Sequence, residues 1–476
     1  VVVAAAAALG DGNINIGGGA ILRVNGGGGT LNNNLSGTGT FLNDGGNLTL
    51  TGNNASFTGA MTVQNSSTVT LSAANTISGI SGMSIDQSTL AFGSSFSTDR
   101  LFSIGAGDAT FDTGANNVTI SNAISGGANH DLIKAGTGTL TLGGTNTYGN
   151  TIINAGKLVV NGSTASAAVT TVNSGGTLGG TGTVRQTTVN SGGTIAPGNS
   201  IGTLNAGGIV QFNGGSIYAV EYDNTNADKL IGAGDIVINS GATLNLIGTT
   251  GIAYNNTTGP YTILQTTGGL RFGQFGTVTN NLAFLDPVVT YNSQNVQVSF
   301  TRNTTGFISM AENDTQTGTA TALGNLPGSN DVFLAFTGVT TAQAANTLES
   351  LSGAGVVGVV PNTTPSFMQP IMAHIGGDAG ASIALQTAAN NADPSVWTSA
   401  YMEPRGALTR NFDTWFQVIG GTGKSDADSQ SPKQKRGNYG AVGGIDRAFD
   451  DDGRYGIYAG YLRSDFSSDA IGASSR

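Results

Sequence analysis

The sequence contains no cysteine, very little charge and only two histidines. Absence of cysteine fits a chain that stays unfolded until it has crossed a membrane, although many proteins simply lack cysteine. Charged residues are 10% of the 476 residues, and the formal net charge is −10. A balance of this kind disfavours nucleic acid as a partner, because phosphate binding needs clustered lysine and arginine. Six lysines and four glutamates leave few strong helix formers, while Thr, Val, Asn and Gly abound, so the composition predicts mainly β structure.

Long hydrophobic runs are also absent. No stretch of 18 apolar residues occurs, so the sequence predicts no transmembrane helix. The opening VVVAAAAALG is apolar but has neither a basic region nor a methionine, so it is not a complete signal peptide. We therefore expect the numbered chain to begin inside a longer precursor.

What the sequence does contain is a short repeating phrase. Residues 172–178 read VNSGGTL, residues 189–195 read VNSGGTI and residues 238–244 read INSGATL. A short strand, a small polar turn and another strand, repeated every ~20 residues, indicate a solenoid whose units must stack to bury their apolar faces. We expect right-handed parallel β-helical folding with about 15 turns and a length of ~70 Å at the spacing of stacked strands.

The repeats also predict individual positions. Val172, Val189 and Ile238 are expected to point into the core. The asparagines that follow them, Asn173, Asn190 and Asn239, share one register and could stack as a hydrogen-bonded ladder. Strands are predicted at 47–51, 61–71, 118–120, 139–142, 151–160, 169–172, 184–189, 209–212, 217–222, 236–238 and 243–247.

Three regions follow one another along the chain. Residues 1–305 form the repeat region. Its last part, about 200–305, is rich in aromatic residues and is expected to cover the open edge of the stack. The aromatic residues within 254–300 are Tyr254, Tyr261, Phe272, Phe275, Phe284, Tyr291 and Phe300. Residues 306–395 are richer in alanine and predict a helical linker. Residues 396–476 return to long alternating strands that carry tyrosine and phenylalanine.

The linker contains one clear helical pattern. Residues 342–351 place Ala344, Leu348 and Leu351 on one face, with Thr341 as N-cap and Gly353 as the stop. A second helical stretch is predicted at 367–375.

The last region predicts strands at 412–421, 438–449 and 453–466. Strands of this length with interfacial aromatics, joined by one long polar loop and one tight turn, are typical of an outer-membrane barrel. A soluble antiparallel sandwich would give the same alternation, so the pattern leaves both possibilities open.

Together these parts resemble a type V autotransporter of the pertactin-like kind. Residues 136–162, GTGTLTLGGTNTYGNTIINAGKLVVNG, are similar to the passenger-associated repeat of that family. Residues 193–204, GTIAPGNSIGTL, resemble a motif near the end of its passengers, and AQAANTLESLSG (342–353) resembles its pre-barrel helical segment. The resemblance implies a secreted β-helical passenger, a short helical linker and the first strands of a C-terminal outer-membrane barrel. It also implies that residues 200–305 fold first outside the cell and template the other turns.

The resemblance departs from the family at the C-terminus. The family's barrel has about twelve strands, and the residues from Phe412 onward are enough for three, so we expect a barrel truncated at Arg476.

A search for catalytic and metal-binding groups predicts no enzyme, no metal and no cofactor. Neither His130 nor His374 lies near a serine motif or paired carboxylates. Residues 126–133, GGANHDLI, are only weakly similar to a calcium repeat, since Asn129 replaces its glycine. The three aspartates at 450–452 are expected to form a solvated turn between strands.

Two further clusters have functional alternatives. Lys433, Lys435 and Arg436 lie at a predicted loop end, where they are either simply solvated or meet lipopolysaccharide phosphates. Asn390 and Asn391 form an adjacent pair of the kind that some autotransporters use for passenger release by asparagine cyclisation, although an ordinary loop is the alternative.

We therefore expect an adhesin-like passenger on the bacterial cell surface, with part of its translocator in the outer membrane. The expected partners are the outer membrane with its barrel-assembly machinery, and a host surface, a matrix ligand or a second copy of the chain. One alternative is the stem of an autotransporter whose protease or esterase domain lies upstream of Val1. Another is a soluble β-helix that binds or cleaves polysaccharide.

Overall fold

The computed structural model describes residues 1–166, 169–254, 257–352, 401–402, 413–425, 434–448, 454–468 and 474–475. The chain divides into two compact units, Val1–Asn303 and Thr304–Arg476. Among the described residues, no helix is both long enough and apolar enough to span a membrane.

The first unit is a parallel β-solenoid built mainly from four sheets. Short strands are joined by polar turns, and each strand pairs in parallel with the equivalent strand one turn away. The strands of the long sheet are Gly29–Leu31, Asn47–Leu50, Thr68–Leu71, Ser88–Phe92, Ala109–Asp112, Leu132–Ala135, Thr151–Ile153, Val169–Val172, Gln186–Val189, Val210–Phe212, Ile236–Ile238 and Arg271–Gly273.

Two further sheets flank the long sheet along the chain: strands of the nine-stranded sheet follow its strands, and strands of the seven-stranded sheet precede them in the N-terminal turns. The nine-stranded sheet contains Phe96–Thr98, Asn117–Ile120, Thr139–Leu142, Gly156–Val160, Gly176–Gly180, Thr194–Pro197, Ile217–Tyr222, Thr243–Gly248 and Thr277–Asn280. The seven-stranded sheet contains Val2–Val3, Ile21–Asn25, Thr40–Asp44, Ala60–Gln64, Gly82–Ile85, Phe102–Ile104 and Ile124–Ser125. A two-stranded sheet pairs Ile14–Ile16 with Leu35–Gly37, and short 3₁₀ helices span Ala6–Leu9 and Ala74–Thr76.

The solenoid has fewer turns than the sequence predicted. The long sheet has twelve strands, and 244 residues separate Gly29 from Gly273 in eleven steps, which is about 22 residues per turn. The prediction of about 15 turns was wrong because it rested on the closely spaced NSGG copies, which belong to the shortest turns. Eleven steps at the spacing of hydrogen-bonded strands give ~53 Å rather than ~70 Å.

The core runs along the inside of the stack as columns of buried residues. Val172, Val189 and Ile238 are buried and follow one another through Phe212 in the inward column of the long sheet. Their predicted orientation is confirmed. The strands at 139–142, 169–172, 217–222 and 236–238 begin and end where predicted, whereas the runs 61–71 and 151–160 each divide into two strands around a turn.

The C-terminal end of the solenoid is closed by antiparallel strands. The six-stranded sheet contains Thr183–Val184, Thr203–Ala206, Lys229–Gly232, Thr257–Thr266, Asn295–Arg302 and Leu285–Tyr291. Its last three strands pair antiparallel and end the parallel stack.

Aromatic rings fill this end of the core. Phe300 stacks on Tyr222 with ring centroids 4.1 Å apart, and Phe275 packs against Phe212 and Tyr218. Phe272 differs from the expectation, because it lies on the outward side of its strand and is 48% exposed.

The second unit begins with a 3₁₀ turn, Phe307–Met310, and three helices: α1, Asp314–Gly324; α2, Asp331–Thr337; and α3, Thr341–Ser352. Helix α3 was predicted, but its cap is Thr340, whose hydroxyl accepts from the N–H of Gln343 while Gln343 Oε1 accepts from the N–H of Thr340. Its buried residues are Ala344, Leu348 and Glu349, and Leu351 is exposed, contrary to the prediction. Gly353 and the predicted helix at 367–375 lie outside the described residues.

Long antiparallel strands follow later in the second unit: Asp413–Ser425, Gln434–Ala448 and Arg454–Ser468, flanked by Tyr401–Met402 and Ser474–Ser475. The predicted order of the three long strands is present, and the strands extend further than expected. Lys435 and Arg436 therefore lie within a strand rather than at a loop end. Val418, Ile457 and Tyr461 on these strands are exposed.

Candidate functional site

The histidine that the structure describes is held by backbone groups. His130 Nδ1 lies 3.1 Å from the amide nitrogen of Gly127 and 3.3 Å from the carbonyl oxygen of Ile104. Within the described ranges, no group of three histidine, aspartate or glutamate side chains is placed to hold a metal ion. His374, the aspartates 450–452, Lys433, Asn390 and Asn391 lie outside the described residues.

The segment that is weakly similar to a calcium repeat belongs to a hydrogen-bonded ladder. Asp131 accepts from the backbone N–H of Asn150 at 2.6 Å and from its side-chain amide at 3.1 Å. Asp108 accepts from the N–H of Asp131, and Asn150 from that of Val169. Each side chain thus holds the start of the next turn, which explains an acidic residue here without a metal ion.

A second ladder consists of asparagine side chains alone. Asn173 donates to Asn154 at 2.8 Å, Asn190 to Asn173 at 2.7 Å, Asn213 to Asn190 at 2.9 Å and Asn239 to Asn213 at 3.1 Å. The stacking predicted for Asn173, Asn190 and Asn239 is confirmed. Asn154 and Asn213 were missed because no NSGG phrase marks them.

The outward side of the long sheet carries an uncharged column. It extends over eleven strands and consists of Asn47, Thr68, Thr89, Thr110, Ile133, Ile152, Thr171, Thr188, Gln211, Val237 and Phe272. All of these residues are exposed or partly exposed. We call this column the neutral column; its ten steps extend ~48 Å.

Lys134 and Asp228 are both ionisable side chains that are buried within the solenoid. Lys134 occupies an inward position of the long sheet, and its Nζ donates to the carbonyl oxygens of Ala135, Gly136 and Ala155 at 2.7, 2.8 and 3.1 Å. Burial lowers the pKa of Lys134 to about 8, and the charge of Asp112 partly opposes this shift.

Asp228 connects two parts of the chain near the C-terminal end of the solenoid. Its carboxylate accepts from the N–H groups of Gly202 at 2.8 Å and Glu221 at 2.9 Å. Burial raises the pKa of Asp228 to about 7, although these two hydrogen bonds act in the opposite direction. Asp228 thereby anchors the predicted passenger motif at 193–204 to the strand Ile217–Tyr222.

Comparison with known families identifies both parts of the chain. Residues 414–476 match the family described as Autotransporter beta-domain, and residues 43–66 and 132–160 match the family described as Passenger-associated-transport-repeat. The repeat matches lie in the solenoid, and the other match begins within the first long antiparallel strand. These features define a protein of the outer membrane with an extracellular β-helical passenger. The chain belongs to the autotransporters.

Two curated relatives from Serratia marcescens, both named Extracellular serine protease, are similar to the chain. One is 29% identical over 378 residues, which cover 72% of this chain and 36% of the relative. The other is 26% identical over 393 residues, which cover 75% of this chain and 36% of the relative. The chain therefore spans about a third of the length of these relatives.

Proposed function

We propose that this surface passenger is adhesin-like and that the neutral column of the long sheet is its contact surface. The observation that supports the proposal is the run of eleven outward positions without charge in a chain whose net charge is −10. An acidic protein repels most biological surfaces, which are themselves negatively charged, so an uncharged strip is the part that approaches them at least electrostatic cost.

The regular spacing adds to this argument. Equivalent side chains recur at every turn, so a repetitive partner meets the same contact many times. Repeated weak contacts on one rigid support act as linked binding sites, and their combined strength exceeds that of each contact. The partner would be a host surface, a matrix ligand or a second copy of the chain.

The test is adhesion of cells that display the protein. Aspartate at both Thr171 and Thr188 would introduce two adjacent negative charges into the neutral column and so raise the electrostatic cost of approaching a negatively charged surface. The matched control places aspartate at Thr119 and Thr141, which are outward and partly exposed on neighbouring strands of the nine-stranded sheet. We expect the first pair to reduce adhesion to matrix-coated surfaces, or cell–cell aggregation, at least fivefold, and the second pair to have little effect. Equal effects of the two pairs at equal surface display would contradict the proposal.

A second candidate function is supported by the names of the relatives. Both are extracellular serine proteases, and the chain spans only about a third of their length, so the solenoid could be the stem of a surface protease. In this candidate function the described residues serve as a support, and residues that this chain does not contain would carry out the hydrolysis. A serine-directed inhibitor that abolishes peptide hydrolysis by the complete surface protein would support this candidate.

Three features of assembly stay part of the proposal. Residues 200–305 would fold first and template the remaining turns, the barrel-assembly machinery would insert the region 396–476, and the helical linker would span 306–395. Release of the passenger at Asn390 and Asn391 would be tested by replacing both with alanine and following the passenger in the culture medium. An unchanged released fraction would remove the pair from consideration.

A further inference from the structure

An open groove lies where the turns from the seven-stranded sheet enter the long sheet. Its volume is about 440 Å³, and the side chains that line it include Ser66, Gln87, Thr89, Asp108 and Thr110. They come from three successive turns of the solenoid. The groove adjoins the neutral column, because Thr89 and Thr110 belong to both.

The backbone of this corner is unusual. Within the part of the chain that the structure describes, the non-glycine residues with positive φ are Asn65 at 60°, Ser66 at 57° and Gln87 at 47°. In the two preceding turns, glycines with φ of 85° and 78° occupy the position equivalent to Asn65 and Gln87, namely Gly26 and Gly45. Glycine accepts this conformation without strain, whereas a residue with a side chain does not. Two of the three turns that line the groove thus retain polar side chains at an energetic cost.

These side chains are available for a ligand. The amide of Gln87 and the hydroxyls of Ser66, Thr89 and Thr110 form no hydrogen bond with any described residue. Asp108 Oδ1 accepts from the N–H of Asp131 at 3.0 Å, so Oδ2 can accept a hydrogen bond from a ligand. The groove therefore offers one amide, one carboxylate oxygen and three hydroxyls.

The floor of the groove also requires a small residue. A Cβ atom at Gly107 would collide with the side chain of Gln87, which lies across it. Glycine at this position allows Gln87 to lie over the groove, where its amide carbonyl and NH₂ can act together as acceptor and donor.

We propose that this groove binds a neutral carbohydrate, such as the terminal disaccharide of a glycan. A sugar presents adjacent hydroxyls that both donate and accept, and an amide beside a carboxylate and hydroxyls complements such a pair. The volume lies at the small end of ligand pockets. The negative charge of Asp108 and of the whole chain opposes anionic sugars. No aromatic ring lines the groove among the described residues, so single-site affinity is expected at about the millimolar level.

The inference rests on the proposed adhesive function, since it names a ligand class for the same surface region, but it can fail separately. Loss of adhesion in the Thr171 and Thr188 double variant tests the neutral column at positions that lie three or more turns from the groove. Binding of a soluble sugar that depends on Gln87 tests the groove alone. A positive result in one and a negative result in the other assigns the failure to one proposal.

The experiment is saturation-transfer NMR on the complete chain with lactose, maltose and sialyllactose. We expect a saturation-transfer signal from at least one of the two neutral disaccharides. The signal from sialyllactose should not exceed it. Gln87→Gly should weaken binding at least fivefold and raise the melting temperature by about 2 °C, because it removes the strained side chain. Asp108→Asn keeps the acceptor for Asp131 but removes the charge, and should also weaken binding.

The matched control is Gln186→Ala, at an exposed glutamine on the same sheet outside the groove. This variant should bind like the unmodified chain. A gain in stability of Gln87→Gly without a loss of binding would show that the turn is only structural and overturn the proposal. So would the absence of signal from both neutral sugars at 10-fold the expected dissociation constant, or a preference for sialyllactose.

Discussion

Replacing Val189 with aspartate is the most direct test of the solenoid core. Val189 is fully buried, and its neighbours in the inward column are Val172 and Phe212. Loss of the buried valine side chain costs about 2 kcal/mol. A carboxyl group in this column stays protonated, and keeping it so at pH 7 against an ordinary pKa of about 3.9 costs about 4 kcal/mol more.

The total, about 6 kcal/mol, is a large fraction of the stability of a typical domain. Part of it depends on pH in a known direction. In this variant the new carboxyl group would have a folded-state pKa above its unfolded value. The destabilisation that it causes is therefore small near pH 4 and grows as the pH rises toward 7. The variant should therefore recover about 4 kcal/mol on acidification, relative to the unmodified chain.

Chemical denaturation followed by circular dichroism at pH 4 and pH 7 measures both effects. Val189→Ala is the first control and should cost about 2 kcal/mol at either pH. Thr188→Asp is the second control, since Thr188 is the outward neighbour on the same strand and should change stability by less than about 0.5 kcal/mol. Equal unfolding midpoints for the two aspartate variants would refute the inward assignment.

Three further predictions concern the ladder, the buried carboxylate and the end of the solenoid. Asn190→Ala removes the hydrogen bonds to both neighbours in the asparagine ladder and should lower the free energy of unfolding by about 1–2 kcal/mol. Asn154→Ala, at the end of the ladder, removes one such bond and should cost less. Equal losses of stability in urea unfolding would contradict the ladder. Asp228 has a raised pKa of about 7, so its contribution to stability is present below about pH 4 and is lost as the pH rises through 7. Asp228→Asn should flatten this part of the pH profile, and a profile identical to that of the unmodified chain would show that Asp228 does not titrate there. Limited proteolysis should leave residues 200–305 as the surviving core, because their aromatic residues bury the largest areas; survival of 40–150 instead would show that the template lies elsewhere.

The repeat phrase alone was enough to predict the architecture and many strands. Thr139–Leu142 alternates outward threonines with inward leucines, and the NSGG turn that follows Val172 defines where Val169–Val172 ends. The ladder could also be anticipated, because equal register places Asn173 and Asn190 one turn apart. These inferences succeeded where local pattern and tertiary stacking agree.

Other features depend on contacts that the sequence pattern does not reveal. Lysine is usually a surface residue. Lys134 nevertheless lies between Phe111 and Ile153 in the inward column, and its ammonium group donates to turn carbonyl oxygens. Helix α1 was not predicted because it is rich in threonine and contains two glycines; Asn313 caps it by accepting from the N–H of Gln316. The strained turn at Gln87 carries no glycine or NSGG phrase that would have marked it as a corner.

The direction of the backbone hydrogen bonds has a mechanical consequence. In a parallel solenoid these bonds run along the stack, so tension along it is carried by every pair of neighbouring turns in series. A turn of about 22 residues that detaches lengthens the rod from ~5 Å to as much as ~70 Å for that segment. Each detachment would lower the force on the remaining turns, and the released strand could rejoin its neighbour when the load falls. Under the adhesive function proposed above, a stack of such turns would act as an extensible tether between the cell and its partner.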